Sequence, residues 1–451
     1  MPDKEPQSAG ADTTSATDVI TIEDAPGIPG ASEHDPGTSE PAEPDGKSSG
    51  RPNRRERRKQ RRARRSRRTK IIRRSLAVAL VVIMIPIGWS YVHALTAPGT
   101  DPLSARSVEW IRDHGGGGIV NRVEHWWYTN HPPPKGGKPE NGLPKAAAPG
   151  HAAVAKDKKT PPAPVVTAPP VPVHLAPPPN VAPFTTPIEM EGVWQPTGRT
   201  VQGLPAVYTT FMRPDPVHTS LVTGLAWMDT KLLKTAFVPG LQEPGGPNPW
   251  GAQIPEDQRG GLVAAFNSGF KMSGARGGYY TDGVMVHPLR DGAASLVITQ
   301  DGTAQVGMWG RDFAMGPNVK TVRQNLDLMV DGGQPVPGLN SDSNDKGGAT
   351  LGNKVYVWRS AVGVDANGGL IYVGGGGLNA KTLGDVLVHA GAVRAMELDI
   401  NSQWVTYYLY DQVYPTNPTG VKGRKLLPDM QRGEDRYLQP SERDFFALFA
   451  R

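Results

Sequence analysis

Four short segments of this 451-residue chain place polar or charged side chains at the ends of apolar runs, where a sheet can present them to a cleft. They are AFNSGF with Asn267, LMVDGGQPV with Asp331, WRSAVGVD with Arg359, and MELDINSQW with Glu397, Asp399 and Asn401. An arginine offers a planar fork suited to phosphate oxygens. Carboxylates two residues apart point the same way if the strand is regular, and their proximity can raise one pKa to give an acid/base pair. Each segment also has a plain structural reading. Asp-Gly is a common turn, a strand-end Asp often caps the next element, and one of Glu397 and Asp399 can face solvent while the other binds backbone amides.

Other chemistries fit poorly. The chain has no cysteine, which removes disulfides, thiolate metal sites and a Cys nucleophile together. Its ten histidines form no HExxH or comparable zinc spacing. Gly374 to Gly377 follow a strand but lack the Lys-Ser/Thr of a P-loop and the helix of a dinucleotide fingerprint, so they are expected to form a flexible loop. Asn340 to Gly348 alternates oxygen ligands as a calcium loop does, yet its Gly falls late and no Glu closes it. Neither a metal nor a cofactor is expected, with calcium at this loop as the alternative.

The elements that must position these residues begin near Thr185, where short β-rich runs are punctuated by Gly and Asn/Asp turns. LVAAF, DGVMVHP, ASLVITQ and TAQVGMW read as strands, the last two joined at Asp301-Gly302. VYVWRSAVGVD and LIYVG form a second hairpin across Asn367-Gly368-Gly369. After Thr382, Leu383, Val386, Leu387 and Ala390 carry the period of a helix that Gly391 can end. AVRAMELDI and WVTYYLY then add strands around an Asn401-Ser402 turn. The fold class predicted is α+β, a mixed or antiparallel sheet with a few packed helices.

In this order, with the helix before the last of them, the four motifs resemble the phosphodiester glycosidase family, over roughly Gly260 to Tyr410. Phe266 to Phe270 is similar to that family's Asn-Gly-Gly-Phe-Phe segment, and Arg359 to Gly363 to its Arg-Thr-Ala-hydrophobic-Gly segment. Asp331-Gly332-Gly333 sits where the family has a Gly-Gly-Pro type turn. Leu398-Asp399 matches the opening of its Leu-Asp-Gly-Gly-Gly-Ser loop, but Ile400 to Trp404 then replace the glycines and change the floor of the site. The resemblance implies hydrolysis of the bond between an anomeric carbon and a phosphodiester oxygen, through an oxocarbenium-like transition state. On that reading Arg359 stabilises the leaving phosphate and Asp399 the anomeric centre or the attacking water, with Glu397 as partner. Asn267, Asp331 and Asn401 are then substrate-binding.

The rest of the chain constrains where such chemistry would occur. Residues 1–50 carry 11 acidic and 2 basic side chains with few apolar ones, the composition of a disordered tail, expected to be cytoplasmic. Residues 51–74 carry 15 basic and 1 acidic. Residues 75–96 follow with the apolar run LAVALVVIMIPIGWSYVHAL, whose twenty residues at about 1.5 Å each span about 30 Å of bilayer. Basic residues before it predict a cytoplasmic N-terminus and an extracytoplasmic C-terminal part. A cleaved signal peptide fits less well, because the run begins some 75 residues into the chain, and a buried soluble helix is the other alternative. The basic excess is confined to that flank, so it sets topology and lipid contact, and nucleic acid is not an expected partner.

Residues 97–130 hold a short helix (LSARSVEWIRDH), a four-glycine break and IVNRVEHWWY, whose aromatic end could meet the membrane surface, a partner or its own neighbours. Residues 131–184 are Pro/Ala-rich and predict an extended stalk of about 3.1 Å per residue. Residues 185–451 are the domain. The function predicted is a membrane-anchored hydrolase acting on a phosphodiester-linked sugar of an envelope glycan or glycopolymer. Two alternatives stand beside it: a non-catalytic envelope-polymer-binding module with a degenerate site, and a structural domain whose stalk is the working element.

Overall fold

A computed structural model describes residues 53–97, 101–146, 173–339, 355–414 and 417–451. The acidic tail, the middle of the Pro-rich stretch and the Asn340 to Gly348 loop lie outside the described residues.

Helix α1 (Arg54–Thr96) is 43 residues long and contains Pro86, and none of its residues is buried. That argues against a soluble core helix, since Leu76, Val81 and Ile85 are all exposed. The helix is long and apolar enough to cross a membrane. By contact, residues 1–78 and 79–451 form separate units. In the first, α1 presents its arginine run as a wholly exposed helix.

The second unit is α+β. An antiparallel eight-stranded sheet has the order Gln195–Pro196, Val207–Met212, Thr223–Met228, Leu370–Leu378, Val357–Val364, Arg394–Glu397, Leu328–Asp331, Gln334–Pro335. One five-stranded sheet carries the hairpin Ala294–Thr299 and Ala304–Met308 around Asp301-Gly302. The other places Leu262–Asn267 between Tyr407–Tyr414 and Phe445–Ala450. The main core between them includes Phe266, Met396, Leu398, Tyr372 and Tyr407. A one-turn helix, α4 (Met272–Ala275), follows the first motif. Helix α5 (Ala380–His389) begins two residues before Thr382, because Asn379 and Thr382 form a reciprocal capping box. Its apolar stripe packs Leu383, Val386 and Leu387 on the large sheet.

The glycine run corrects the expectation of a loop. Gly374 to Gly377 lie inside the Leu370–Leu378 strand. A Cβ on Gly374 would meet the Tyr372 ring at 3.0 Å and one on Gly376 the Trp358 indole at 3.0 Å, so these two admit neighbouring rings, while Gly377 takes φ +70° at a register shift of the strand.

Before the domain, α2 (Leu103–Ile111) and α3 (Gly117–Asn130) fold back on each other where Gly115 takes φ +85°, open to glycine without strain. This hairpin docks on the domain. Asp101 pairs with Arg432 at 2.6 Å, both nearly buried, its backbone amide donates to Glu442 Oε1 at 3.2 Å, and Arg106 lies 3.5 Å from Glu442. Both described ends of the Pro-rich stretch pack there too. Gly136 N donates to Val217 O at 2.7 Å, Leu143 and Ala146 lie against the main core, and Val181 is buried beside α5. The first clamp therefore falls five residues after α1, ahead of the stretch expected to be a stalk.

Burial, with the Asp101 carboxylate beside it, pushes Glu442 up to about 7. A folded-state pKa above the unfolded value favours the protonated form, so this contribution to stability is complete below about 4.3 and is lost as pH rises through about 7. The full-length protein should lose several degrees of Tm between pH 6 and 8, at roughly 2–4 °C per kcal/mol for a domain this size. Glu442→Gln should flatten that slope in a fluorescence-monitored melt; an unchanged slope contradicts the assignment.

Candidate active site

The side chains of the Val357–Val364 strand alternate between two environments. Arg359 points into the protein, fully buried, with Nη1 2.6 Å from Glu397 Oε1 and further donations to Leu378 O and Val355 O. Ser360 faces the other way and acts as a junction. Its Oγ donates to Asp399 O at 3.1 Å and accepts from Asp399 N at 3.2 Å and from Asn267 Nδ2 at 3.0 Å. Asn267 Oδ1 accepts from Tyr372 OH and Thr406 N, so its amide is fully engaged in holding three strands together.

The Arg394–Glu397 strand ends at Glu397, and Asp399 occupies the turn beyond it. Its Oδ1 accepts from Ile400 N at 2.8 Å and Asn401 N at 3.1 Å, while Oδ2 lies 3.3 Å from Arg443 Nη2. Burial raises the pKa of Asp399; Arg443 and the two amides oppose this, and the charge of Glu109 adds to it. Burial likewise raises Glu397, against the pull of Arg359.

Asp399 opens onto a cavity of about 270 Å³ whose floor and one side are Asp399, Ile400, Asn401, Trp404 and Arg443, with Phe270 and Lys271 beside them. The opposite wall is the α2–α3 hairpin, through Glu109, Asn121, Glu124 and Tyr128. Ile400, in the position where the resembled family has glycine, packs with Phe270 and Tyr128 and so joins floor to wall. Lys271 pairs with Glu109 and, at 3.1 Å, with Asp113. Burial works to raise Glu109, but Lys271 and Arg443 outweigh it and hold this carboxylate below its ordinary value. Among the carboxylates that line the cavity, Asp399 and Glu109 are thus biased in opposite directions, the arrangement that separates acid and base roles.

Of the residues singled out from sequence, Asp399 and Asn401 line this cavity. Asn267 stands behind Asp399 through Ser360. Arg359 and Glu397 form the buried pair one residue further back, and Asp331 binds Arg311 at 2.6 Å on the far edge of the large sheet. Sequence reasoning missed Arg443. It is 5 % exposed, stacks on Trp404 at 5.2 Å, donates to Gly269 O, and keeps a buried Nε without a hydrogen-bond partner. The signal available was the charged triplet Glu442-Arg443-Asp444 ahead of the apolar strand FFALFA. Glu109 was missed because nothing in an amphipathic helix announces which body it packs on. Among the described residues no cluster of His and carboxylates is arranged to hold a metal.

The α+β domain thus brings a buried carboxylate and an arginine together at a small cavity. Residues 260–425 match the family model of the phosphodiester glycosidases. None of the curated proteins matches the chain in sequence. Among solved structures, it is similar to the catalytic domain of zebrafish N-acetylglucosamine-1-phosphodiester alpha-N-acetylglucosaminidase, auto-inhibited by its pro-peptide. The identity is 16 %, over 55 % of this chain and 85 % of that one, with a TM-score of 0.36. A hypothetical protein from Synechocystis is similar at 14 % identity over 57 % and 64 %, with a TM-score of 0.31.

The geometry makes Arg359 and Glu397 a testable strut. Arg359→Ala leaves a carboxylate buried and uncompensated, and should cost about 3–5 kcal/mol of unfolding free energy. Arg359→Met combined with Glu397→Leu should recover most of it. Urea unfolding of the full-length protein checks both, and a single variant as stable as the wild type contradicts the role.

Proposed function

We propose that this chain is a membrane-anchored, extracytoplasmic hydrolase that cleaves sugar-1-phosphodiesters at the cavity between Asp399 and Arg443. The observation that carries this reading is that Asp399 and Arg443 meet at one cavity, Asp399 lying in the region that matches the phosphodiester glycosidases. The reaction breaks the bond from the anomeric carbon to the phosphodiester oxygen. Water adds hydroxide to that carbon, and the phosphate leaves with the bonding pair as a weak base. It needs charge stabilisation more than a strong acid. Arg443 supplies that charge from the wall of the cavity. Asp399, biased upward in pKa, takes the proton of the attacking water. Glu109, held ionised by Lys271, stabilises positive charge at the anomeric centre. The cavity volume is near the small end of ligand pockets, at about 300 Å³, and suits one sugar with its phosphate better than a run of polymer.

The replacement of the family's glycine run by Ile400-Asn401-Ser402 favours a second reading, a domain that binds such a group without cleaving it. The full-length protein in detergent, given a water-soluble sugar-1-(methyl phosphate), separates the two by free sugar released against ligand bound intact. Asp399→Asn and Arg443→Met should each lower kcat by about 10²–10³-fold with the fold retained by circular dichroism. Binding without release by the wild type supports the second reading, and unaltered turnover in either variant overturns the assignment.

A further inference from the structure

Helix α3 has two working faces. Gly117, Asn121, Glu124 and Tyr128 line the cavity. At about 100° per residue, Ile119, Val123 and Trp126 fall on the opposite side. There they are 68 %, 58 % and 60 % exposed, an apolar stripe that a water-facing helix would not present. Arg122, also exposed, borders the stripe.

The neighbourhood identifies what covers it. Helix α2 is fastened to the last turns of α1: Tyr91 Oη is 2.8 Å from Ser107 Oγ, Trp110 Nε1 donates to Ser90 Oγ at 3.1 Å, and the Tyr91 and Trp110 rings meet edge-on at 5.0 Å. Ser90 and Tyr91 lie at the C-terminal end of the apolar span, beside Trp89, which is 75 % exposed. Aromatic residues at that end of a span mark the level of the lipid headgroups. The hairpin is therefore held at that level, and an amphipathic helix there with Trp on its apolar side and Arg at its margin has the composition of one lying in the interface.

We infer that α3 is an interfacial membrane helix that inserts Ile119, Val123 and Trp126 among the lipids, and that the cavity on its other face takes a sugar-1-phosphodiester whose second ester is to a lipid. The substrate half of this rests on the hydrolase reading above. The insertion half stands without it. A cavity walled by the back of an inserted helix lies at headgroup depth, where a lipid-borne phosphodiester presents its sugar, and the four residues between α1 and the Asp101 clamp leave little freedom to move away.

The test uses the full-length chain in phosphatidylcholine vesicles containing phosphatidylglycerol. Because the protein has no cysteine, Val123→Cys takes a single nitroxide label, and His125→Cys, at the edge of the same helix, serves as control. The Val123 label should be shielded from a water-soluble relaxation agent and broadened by oxygen, with the His125 label accessible. Equal accessibility overturns the insertion, and so does shielding accompanied by spin–spin broadening between chains, which assigns the stripe to a second copy.

The substrate half compares the soluble sugar-1-(methyl phosphate) with the same group esterified to a dialkylglycerol in the vesicle. Ile119→Ser combined with Trp126→Ser should lower turnover of the lipid-borne substrate at least about tenfold, the loss of an effective-concentration advantage, and leave the soluble one unchanged. Equal effects on both, or wild-type cleavage of the soluble substrate alone, overturn it. Cleavage of neither means that the hydrolase reading and the substrate half fail together, and the label result still decides the insertion.

Discussion

The Arg359–Glu397 pair has no access to water, and the layout of the site follows from the need to keep its charges together. An uncompensated charge at that depth is far less favourable than a paired one, so the two strands that carry it are fixed in register, Ala361 opposite Glu397. That register decides what comes next on each strand. Side chains alternate, so Arg359 facing inward turns Ser360 to the other side, and the turn that follows the strand end at Glu397 brings the Asp399 backbone to Ser360. The Ser360 hydroxyl then has Asp399 backbone on one side and the Asn267 amide on the other. The carboxylate at the cavity is positioned by a hydroxyl, and the hydroxyl by a salt bridge outside the cavity lining.

Much of the sheet was legible because its signals are local. Alternation of apolar residues with Asp-Gly and Asn-Gly turns located both hairpins, and the i, i+3, i+4 stripe located α5. The four motifs were legible as chemistry, but not their depth. From sequence, Arg359 and Asp399 are equally polar residues at strand ends. Only the tertiary arrangement separates a guanidinium with a carboxylate and two carbonyls as partners from a carboxylate at a cavity. Arg443 escaped notice for a related reason, since its contact with Asp399 spans 44 residues and crosses two sheets. The glycine run was misread because glycine signals close approach as well as bending, and the rings of Tyr372 and Trp358 that require the room are set by the fold.

The Pro-rich stretch teaches a similar point about composition. Its residues favour extended chain, yet extension does not dictate where the ends go. Residues up to Ala146 and from Val173 onward lie along the domain, with Val181 buried. Meanwhile the preceding segment, read from sequence only as a short helix and an aromatic-ended run around a glycine break, supplies much of the cavity wall. A segment between an apolar span and a domain reads as a linker until the faces of its helices are assigned.

Those faces bear on the loop that departs from the family pattern. A run of glycines after the acid would leave the floor low and open. Ile400 instead raises a side chain that packs with Phe270 and with Tyr128 of α3, and its amide joins that of Asn401 in holding Asp399. The departure thus couples the acid's turn to the helix beside it: the residue that fixes Asp399 through its backbone touches the hairpin through its side chain. A displacement of the α2–α3 hairpin would expose Ile400, widen the cavity on the Glu109 side and remove a negative charge that raises the pKa of Asp399. The state of the acid and the seating of the hairpin are in this sense one variable, set where the chain leaves its apolar helix.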